Sequence, residues 1–174
     1  MDNRERVRRL TSGDSTTVLE ALRELRRDRE TPPSDEVVEA GLELMKSPDT
    51  DVRHDAILAL SLHWGHPRTL PMLNTMLNGA EKEGEVLVMV ARALGSIFKQ
   101  QGRRPDDETR RVLARVALDE RAGAELRGVA YTSLRLAFGL LSAREEACLE
   151  DDIHQMDVDW KWLRAMLERN AGAP

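Results

Sequence analysis

Apolar residues recur at steps of three and four along nearly the whole chain. Segment 14–29 carries Val18, Leu19, Ala21, Leu22 and Leu25, and segment 35–46 carries Val37, Val38, Gly41, Leu42 and Met45. Segment 49–64 follows with Val52, Ala56, Ile57, Ala59, Leu60 and Leu62, and segment 83–99 with Val86, Val90, Ala93, Leu94, Ile97 and Phe98. Segment 105–118 has Val112, Leu113, Val116 and Ala117, and segment 124–139 has Leu126, Val129, Ala130, Leu134, Leu136 and Ala137. Each spacing lays an apolar stripe along one face of a helix. No stretch alternates with period two, so the pattern predicts an all-α fold without a sheet.

Helix-breaking and capping residues fall between the stripes. Thr31-Pro32-Pro33-Ser34 ends one helix and caps the next, with Asp35 and Glu36 in its first turn. Ser47-Pro48-Asp49 does the same, with the proline expected where its missing N–H costs nothing. Gly65-His66-Pro67, Gly79, Gly84, Gly102 and Pro105 mark further joints, and Ser142-Ala143-Arg144-Glu145 has the spacing of a capping box. Short joints between stripes of this length predict consecutive antiparallel helix pairs.

The pairs repeat. Asp51-Val52 through Ala59-Leu60 superposes on Glu85-Val86 through Ala93-Leu94 at an offset of 34, and Glu125-Leu126 through Ser133-Leu134 follows at an offset of 40. A weaker first copy ends at Ala21-Leu22, 38 residues before Ala59-Leu60. Such periods with two helices each are the mark of an α-solenoid. The residues Ser47-Pro-Asp-Thr-Asp51-Val52-Arg53-His-Asp-Ala56-Ile-Leu-Ala59-Leu60 resemble the first helix of a HEAT repeat, and Glu85–Ile97 resembles the HEAT-like variant named after phycobilisome lyases. The resemblance spans roughly residues 12–140. It implies an inter-repeat ladder at Asp51, Arg53, Glu125 and Arg127, interrupted where Leu87 replaces the arginine of the second copy. It implies a scaffold and no lyase activity.

The expected fold is thus an all-α superhelix of about four HEAT-like helix pairs in a single domain over 1–174. The repeats lie near 12–46, 47–79, 83–118 and 122–156, with a C-terminal capping helix at 158–170. A short N-terminal turn with Val7 and Leu10 covers the first repeat. Trp160, Leu163, Met166 and Leu167 form the final helix, after a break near Glu150–Asp152, and both Trp160 and Trp162 are expected to pack as part of the cap.

Composition narrows the function. Among 174 residues only six are aromatic, too few for a base-stacking platform. One cysteine, Cys148, excludes a disulfide scaffold and sits among acids that would keep its thiol inert. No run approaches the length of a membrane span, and Met1-Asp-Asn-Arg-Glu-Arg leads into no apolar stretch of the signal-peptide kind, so a cytoplasmic protein is expected. Arginine outnumbers lysine 22 to 4, a bias that a GC-rich, bacterial-type genome produces without function. His63 and His66 fall short of the ligands that zinc requires, no phosphate loop occurs, and no nucleophile has an adjacent base. No catalytic, metal or cofactor residue is therefore assigned, and an enzyme is not expected.

Charge is more informative. The formal net charge is −5. Glu36, Glu39 and Glu43 lie within about 60° of one another on the helix face opposite its apolar stripe. Segment 145–159 holds seven acids and no Lys or Arg, among them Asp151 and Asp152, whereas helix 105–118 offers Arg110, Arg111 and Arg115. If second helices line a concave side, as in HEAT proteins, these eight residues form a partner-binding groove for a basic or mixed-charge protein. One form of such a module is an inhibitor, for example an immunity protein that neutralises a toxin. A nucleic-acid-binding solenoid is the competing reading, from Arg4, Arg6, Arg8 and Arg9 and from the arginines of 23–29, but acids interleave and residues 1–30 net only +1. An enzyme or an enzyme accessory subunit is the remaining alternative.

Overall fold

The computed structural model describes residues 2–28, 30–142, 145–146 and 151–168. Nine α-helices are found among them: α1 (Asn3–Leu10), α2 (Ser15–Arg27), α3 (Asp35–Leu44), α4 (Thr50–Ile57), α5 (Leu70–Thr75), α6 (Gly84–Gln100), α7 (Asp107–Leu118), α8 (Ala124–Ala137) and α9 (Trp160–Glu168). Two of them run on into wider π-helical turns, α4 over Leu58–His63 and α5 over Met76–Ala80, and no strand occurs among the described residues.

The helix starts follow from side-chain oxygens that accept the free N–H groups of a first turn. Asp2, Asp14, Ser34, Asp49 and Asp106 each do so, for Glu5, Thr17, Val37, Asp51 with Val52, and Thr109 respectively. Because Asp49 is the cap of α4, Pro48 stands one place before it rather than in the first helical turn. Helices α6 and α8 end in left-handed glycines, Gly102 (φ 60°) and Gly139 (φ 68°). The next amides, Arg103 and Leu140, return to the carbonyls of Phe98 and Arg135, which closes each last turn.

The chain forms two compact units, residues 1–69 and 70–174, and the division falls inside the second expected repeat. In the first unit, α2 packs on α4 and α1 on α3, while α1 also meets α2 and α3 meets α4. Leu10, Leu22, Leu25, Val37, Val38, Met45, Ile57 and Leu60 are fully buried between them. Arg6 is buried too, only 2% exposed, and it holds Asp28 and the Thr31 carbonyl in the α2–α3 loop. Thus the N-terminal segment is an integral helix fastened by an ion pair, more than the turn expected around Val7 and Leu10. Asp55 of α4 binds Arg23 and Arg26 of α2 at 3.3 and 3.2 Å. The side chains of Trp64 and His63 meet the carbonyls that α2 leaves open at its end, Leu25 at 3.1 Å and Asp28 at 3.2 Å.

In the second unit, α6 lies against α8, and α7 packs on both α8 and α9. The approach of α6 to α8 depends on a missing side chain, since a Cβ on Gly95 would stand 2.6 Å from the Ser133 carbonyl oxygen. Val90, Leu94, Ile97, Phe98, Leu113, Val129 and Leu134 fill the interior. Asn74 donates to Thr109 at 3.0 Å, a buried link from α5 to α7. After α8, Ser142 and Glu145 form the expected capping box, with Ser142 N–H donating to the Glu145 carboxylate (2.8 Å) and Glu145 N–H to the Ser142 hydroxyl (3.2 Å). Cys148 and Glu150 lie outside the described residues. Residues 151–159 then form an irregular strap, with a short 3₁₀ turn at Ile153–Gln155, that crosses α8 before α9 begins. Leu163 and Met166 of α9 are buried, as a cap requires. Its two tryptophans part company, however. Trp162 packs edge-on to Tyr131 and Phe138, both centroids 6.1 Å away, whereas Trp160 is 38% exposed. Residues two apart on a helix face opposite ways, so only one of the pair can face the core.

Candidate partner-binding site

In the first unit, α3 buries Val37, Val38 and Gly41 and thereby turns Glu36, Glu39 and Glu43 outward, all exposed as expected. Their charge is partly matched. Arg68 pairs with Glu39 and reaches Asp35 at 4.0 Å, and Lys46 pairs with Glu43 at 2.6 Å. Asp35, Glu36, Glu39 and Glu43 against Arg68 and Lys46 leave this face at −2, with no ion pair to Glu36 among the described residues. Next to Arg68, the His66 imidazole is pushed below its ordinary pKa, first by burial and then by the Arg68 charge, with Asp35 pulling the other way.

In the second unit, the arginines of α7 divide by helix face. Arg110 is 4% exposed and bonded to Asp107 at 2.9 Å, so it is not a surface contact and leaves the candidate groove. The reason is its spacing: it stands three and four positions before Leu113 and Ala114, on the buried stripe. Arg111 shares Asp107 at 3.7 Å, and the exposed Arg115 donates to Asn78 at 2.8 Å. Asp151 and Asp152 serve the strap. Asp151 pairs with Arg92 of α6. Asp152 caps the 3₁₀ turn, and the His154 amide above all, with the Gln155 side chain, holds its carboxyl below the ordinary value. Both acids are therefore engaged at the strap, Asp151 with α6 and Asp152 with the strap's own turn. Within the second unit, the arginines of α7 and the acids of the strap make separate sets of contacts.

A feature that the charge pattern did not reveal lies between α8, α9 and the strap. It is a cleft of about 570 Å³ whose walls are apolar (Tyr131, Leu140, Leu141, Met156 and Trp162) and whose rim carries Arg135, Glu145, Asp157 and Asp159. Arg135 binds Glu145 at 2.9 Å and lies 5.8 Å from the Tyr131 ring. The Ser142 amide and hydroxyl, with Arg135, hold the Glu145 carboxyl down to about 2. The Tyr131 hydroxyl accepts the Asp159 N–H at 3.1 Å, which ties the start of α9 to α8.

A family model for HEAT repeats matches residues 38–135, more than half of the chain. The chain belongs to the HEAT-repeat family. Its fold class is the all-α solenoid of that family, and HEAT repeats generally mediate protein–protein interaction as non-catalytic scaffolds. No curated protein and no solved structure matches the chain. The matched span of this HEAT-repeat chain runs from within α3 almost to the end of α8, so α9 and the strap lie beyond it.

The arginines at the ladder positions of the HEAT repeats hold backbone. Arg53 donates to the carbonyls of Ser47 and Pro48, at 2.8 and 3.1 Å, and Arg127 donates to the Ala117 carbonyl at 3.2 Å. Arg127 also lines a second cavity of about 760 Å³ with Leu118, Glu120, His154, Trp160 and Arg164. Among the described residues no three His, Cys, Asp or Glu side chains gather as metal ligands, and no helix is long and apolar enough to cross a membrane.

Proposed function

We propose that this HEAT-repeat chain is a non-catalytic module that binds a basic or mixed-charge protein, with the exposed face of α3 as one docking surface. The observation that carries the reading is the row Glu36, Glu39 and Glu43 on a helix whose opposite side is locked into the core. A rigid, preformed helix face lowers the ordering cost of binding, and the net negative charge left on that face speeds encounter with a cationic partner. Inhibition of a basic partner, of the immunity-protein kind, is one form such binding takes. A nucleic-acid groove is less well supported, because several of the arginines it would use have partners in the fold: Arg6 with Asp28, Arg9 with Glu20 and Glu24, and Arg23 and Arg26 with Asp55.

The test is comparative capture. The wild-type chain and the Glu36→Lys, Glu39→Lys, Glu43→Lys variant are each used as bait in lysate of the native host, and retained proteins are identified. The expected result is a basic or mixed-charge protein retained by the wild type, released by high salt and lost with the variant. Equal retention by both baits removes α3 as a docking surface.

A further inference from the structure

The cleft of the second unit has its own chemistry. Its apolar walls include Leu140, which at 49% exposure is the most open large apolar side chain among the described residues. Its volume lies in the range of about 300–1,000 Å³ usual for small-ligand sites. The charge of its rim is unbalanced. Glu145 is matched by Arg135, but Asp157 and Asp159 are exposed and carry no ion pair among the described residues, so the rim nets −2. Asp159 uses one oxygen to cap α9, accepting the Trp162 backbone N–H at 2.9 Å, which fixes that carboxylate at the cleft, at the start of the helix that carries Trp162.

The same cleft also shows how it treats a guanidinium. Arg135 is held between a carboxylate, Glu145, and an aromatic ring, Tyr131, and gives a further hydrogen bond to the Leu140 carbonyl at 3.1 Å. Trp162, Asp157 and Asp159 bring a ring and carboxylates to the same cleft, with no ion pair to either aspartate among the described residues. A planar guanidinium can lie against a ring while its N–H fork meets carboxylates, which the compact ammonium of lysine does less well.

We propose that this cleft receives an arginine side chain from a segment of the partner protein, with the flanking apolar residues of that segment against Leu140, Leu141 and Met156. The proposal rests on the reading of the chain as a protein-binding module and names the chemistry of a second contact in it. The guanidinium meets Asp157 and Asp159 and the Trp162 ring, and Arg135 stays on Glu145.

The probe is the blocked tripeptide acetyl-Leu-Arg-Leu-amide, titrated into the full chain while the three tryptophan indole N–H signals are followed by NMR. The expected result is a saturable shift of the Trp162 signal, with Trp64 unmoved because its indole is engaged on Leu25 in the other unit. The citrulline analogue, which keeps the shape and lacks the charge, should give no saturable shift, and the lysine analogue should bind several-fold more weakly. Asp157→Asn with Asp159→Asn should weaken the arginine peptide by about tenfold or more, with the α9 cap kept because asparagine also accepts the Trp162 N–H. Leu140→Ser, at an exposed position, should weaken it without unfolding the chain.

Absence of saturation, equal binding of the citrulline or lysine analogue, or an unchanged affinity in the double variant overturns the proposal. The titration needs no partner and does not involve α3. A silent titration beside a loss of capture on α3 reversal rejects the cleft alone, and a positive titration beside unchanged capture rejects the α3 surface alone.

Discussion

The Asp151 carbonyl occupies the space where Gly128 would carry a side chain. A Cβ at that glycine would meet the carbonyl of Asp151, and the Ile153 amide at 2.9 Å, closer than real Cβ atoms approach backbone. The strap therefore crosses α8 at that helix's one glycine, and the strap in turn leads into α9. Gly128→Ala should force the two apart, at a cost of about 1–3 kcal/mol. Chemical denaturation checks the cost. Because Trp162 sits on Tyr131 next to this crossing, its fluorescence should change in the folded variant, while helix content stays close to that of the wild type.

The buried Arg6 makes a second prediction. Its guanidinium binds Asp28, the Thr31 carbonyl and the Asn3 side chain. Arg6→Met keeps the apolar stem and loses these bonds, and should destabilise the chain by about 1.5–3 kcal/mol, the range for hydrogen bonds to a charged group. The Asp28 carboxyl is held well below the usual carboxylate range by the Thr31 and Glu30 amides first and by Arg6 after them. In the variant it should therefore stay below its ordinary value. A carboxyl NMR titration that returned it to the ordinary value would show that the loop amides do not hold it.

The contrast between α3 and α9 shows what was legible in the sequence. On α3 the apolar stripe at Val37, Val38 and Gly41 fixes which side faces inward, so Glu36, Glu39 and Glu43 could be placed outside from spacing alone. The same rule, applied to α7, puts Arg110 on the buried stripe and Arg111 off it. The charges of a helix show this only when each is set against the stripe individually. It likewise separates Trp160 from Trp162, two positions apart on one helix. The cleft was hidden for a different reason. Its walls depend on where an irregular strap crosses α8, and a segment without a period carries no face to read. Nor does charge counting reveal pairing: Arg68, from the turn after α4, pairs with Glu39 of α3 across 29 residues of chain.

The capping box yields a pH dependence. Glu145 is held down to about 2, by the Ser142 amide first, then the Ser142 hydroxyl and Arg135. A carboxyl whose folded pKa is depressed contributes stability that is fully present above its ordinary value of about 4.3 and is lost as pH falls toward 2. Ser142→Ala should raise the Glu145 midpoint only in part, because the amide remains. Carboxyl titration by NMR reads this directly. A midpoint already at the ordinary value in the wild type would remove the box.

His66 responds in the opposite part of the scale. Its ring sits below its ordinary pKa because burial disfavours the imidazolium and because Arg68 repels it, with Asp35 offsetting a part. In the unfolded chain the ring takes up its proton near its ordinary value of about 6.5, before the folded chain does. Between the two values the unfolded state holds more protons, so stability falls as pH drops below about 6.5 and levels off only below the folded pKa. Arg68→Ala removes the repulsion and should raise the His66 midpoint, though not to the ordinary value, since burial is the larger cause. Asp35→Asn should lower the midpoint further. Histidine ring titrations in the three proteins decide the matter. If Arg68→Ala lowers the midpoint, the Arg68 cation is not what faces the ring, and the pairing of Arg68 with the acids of α3 needs another geometry.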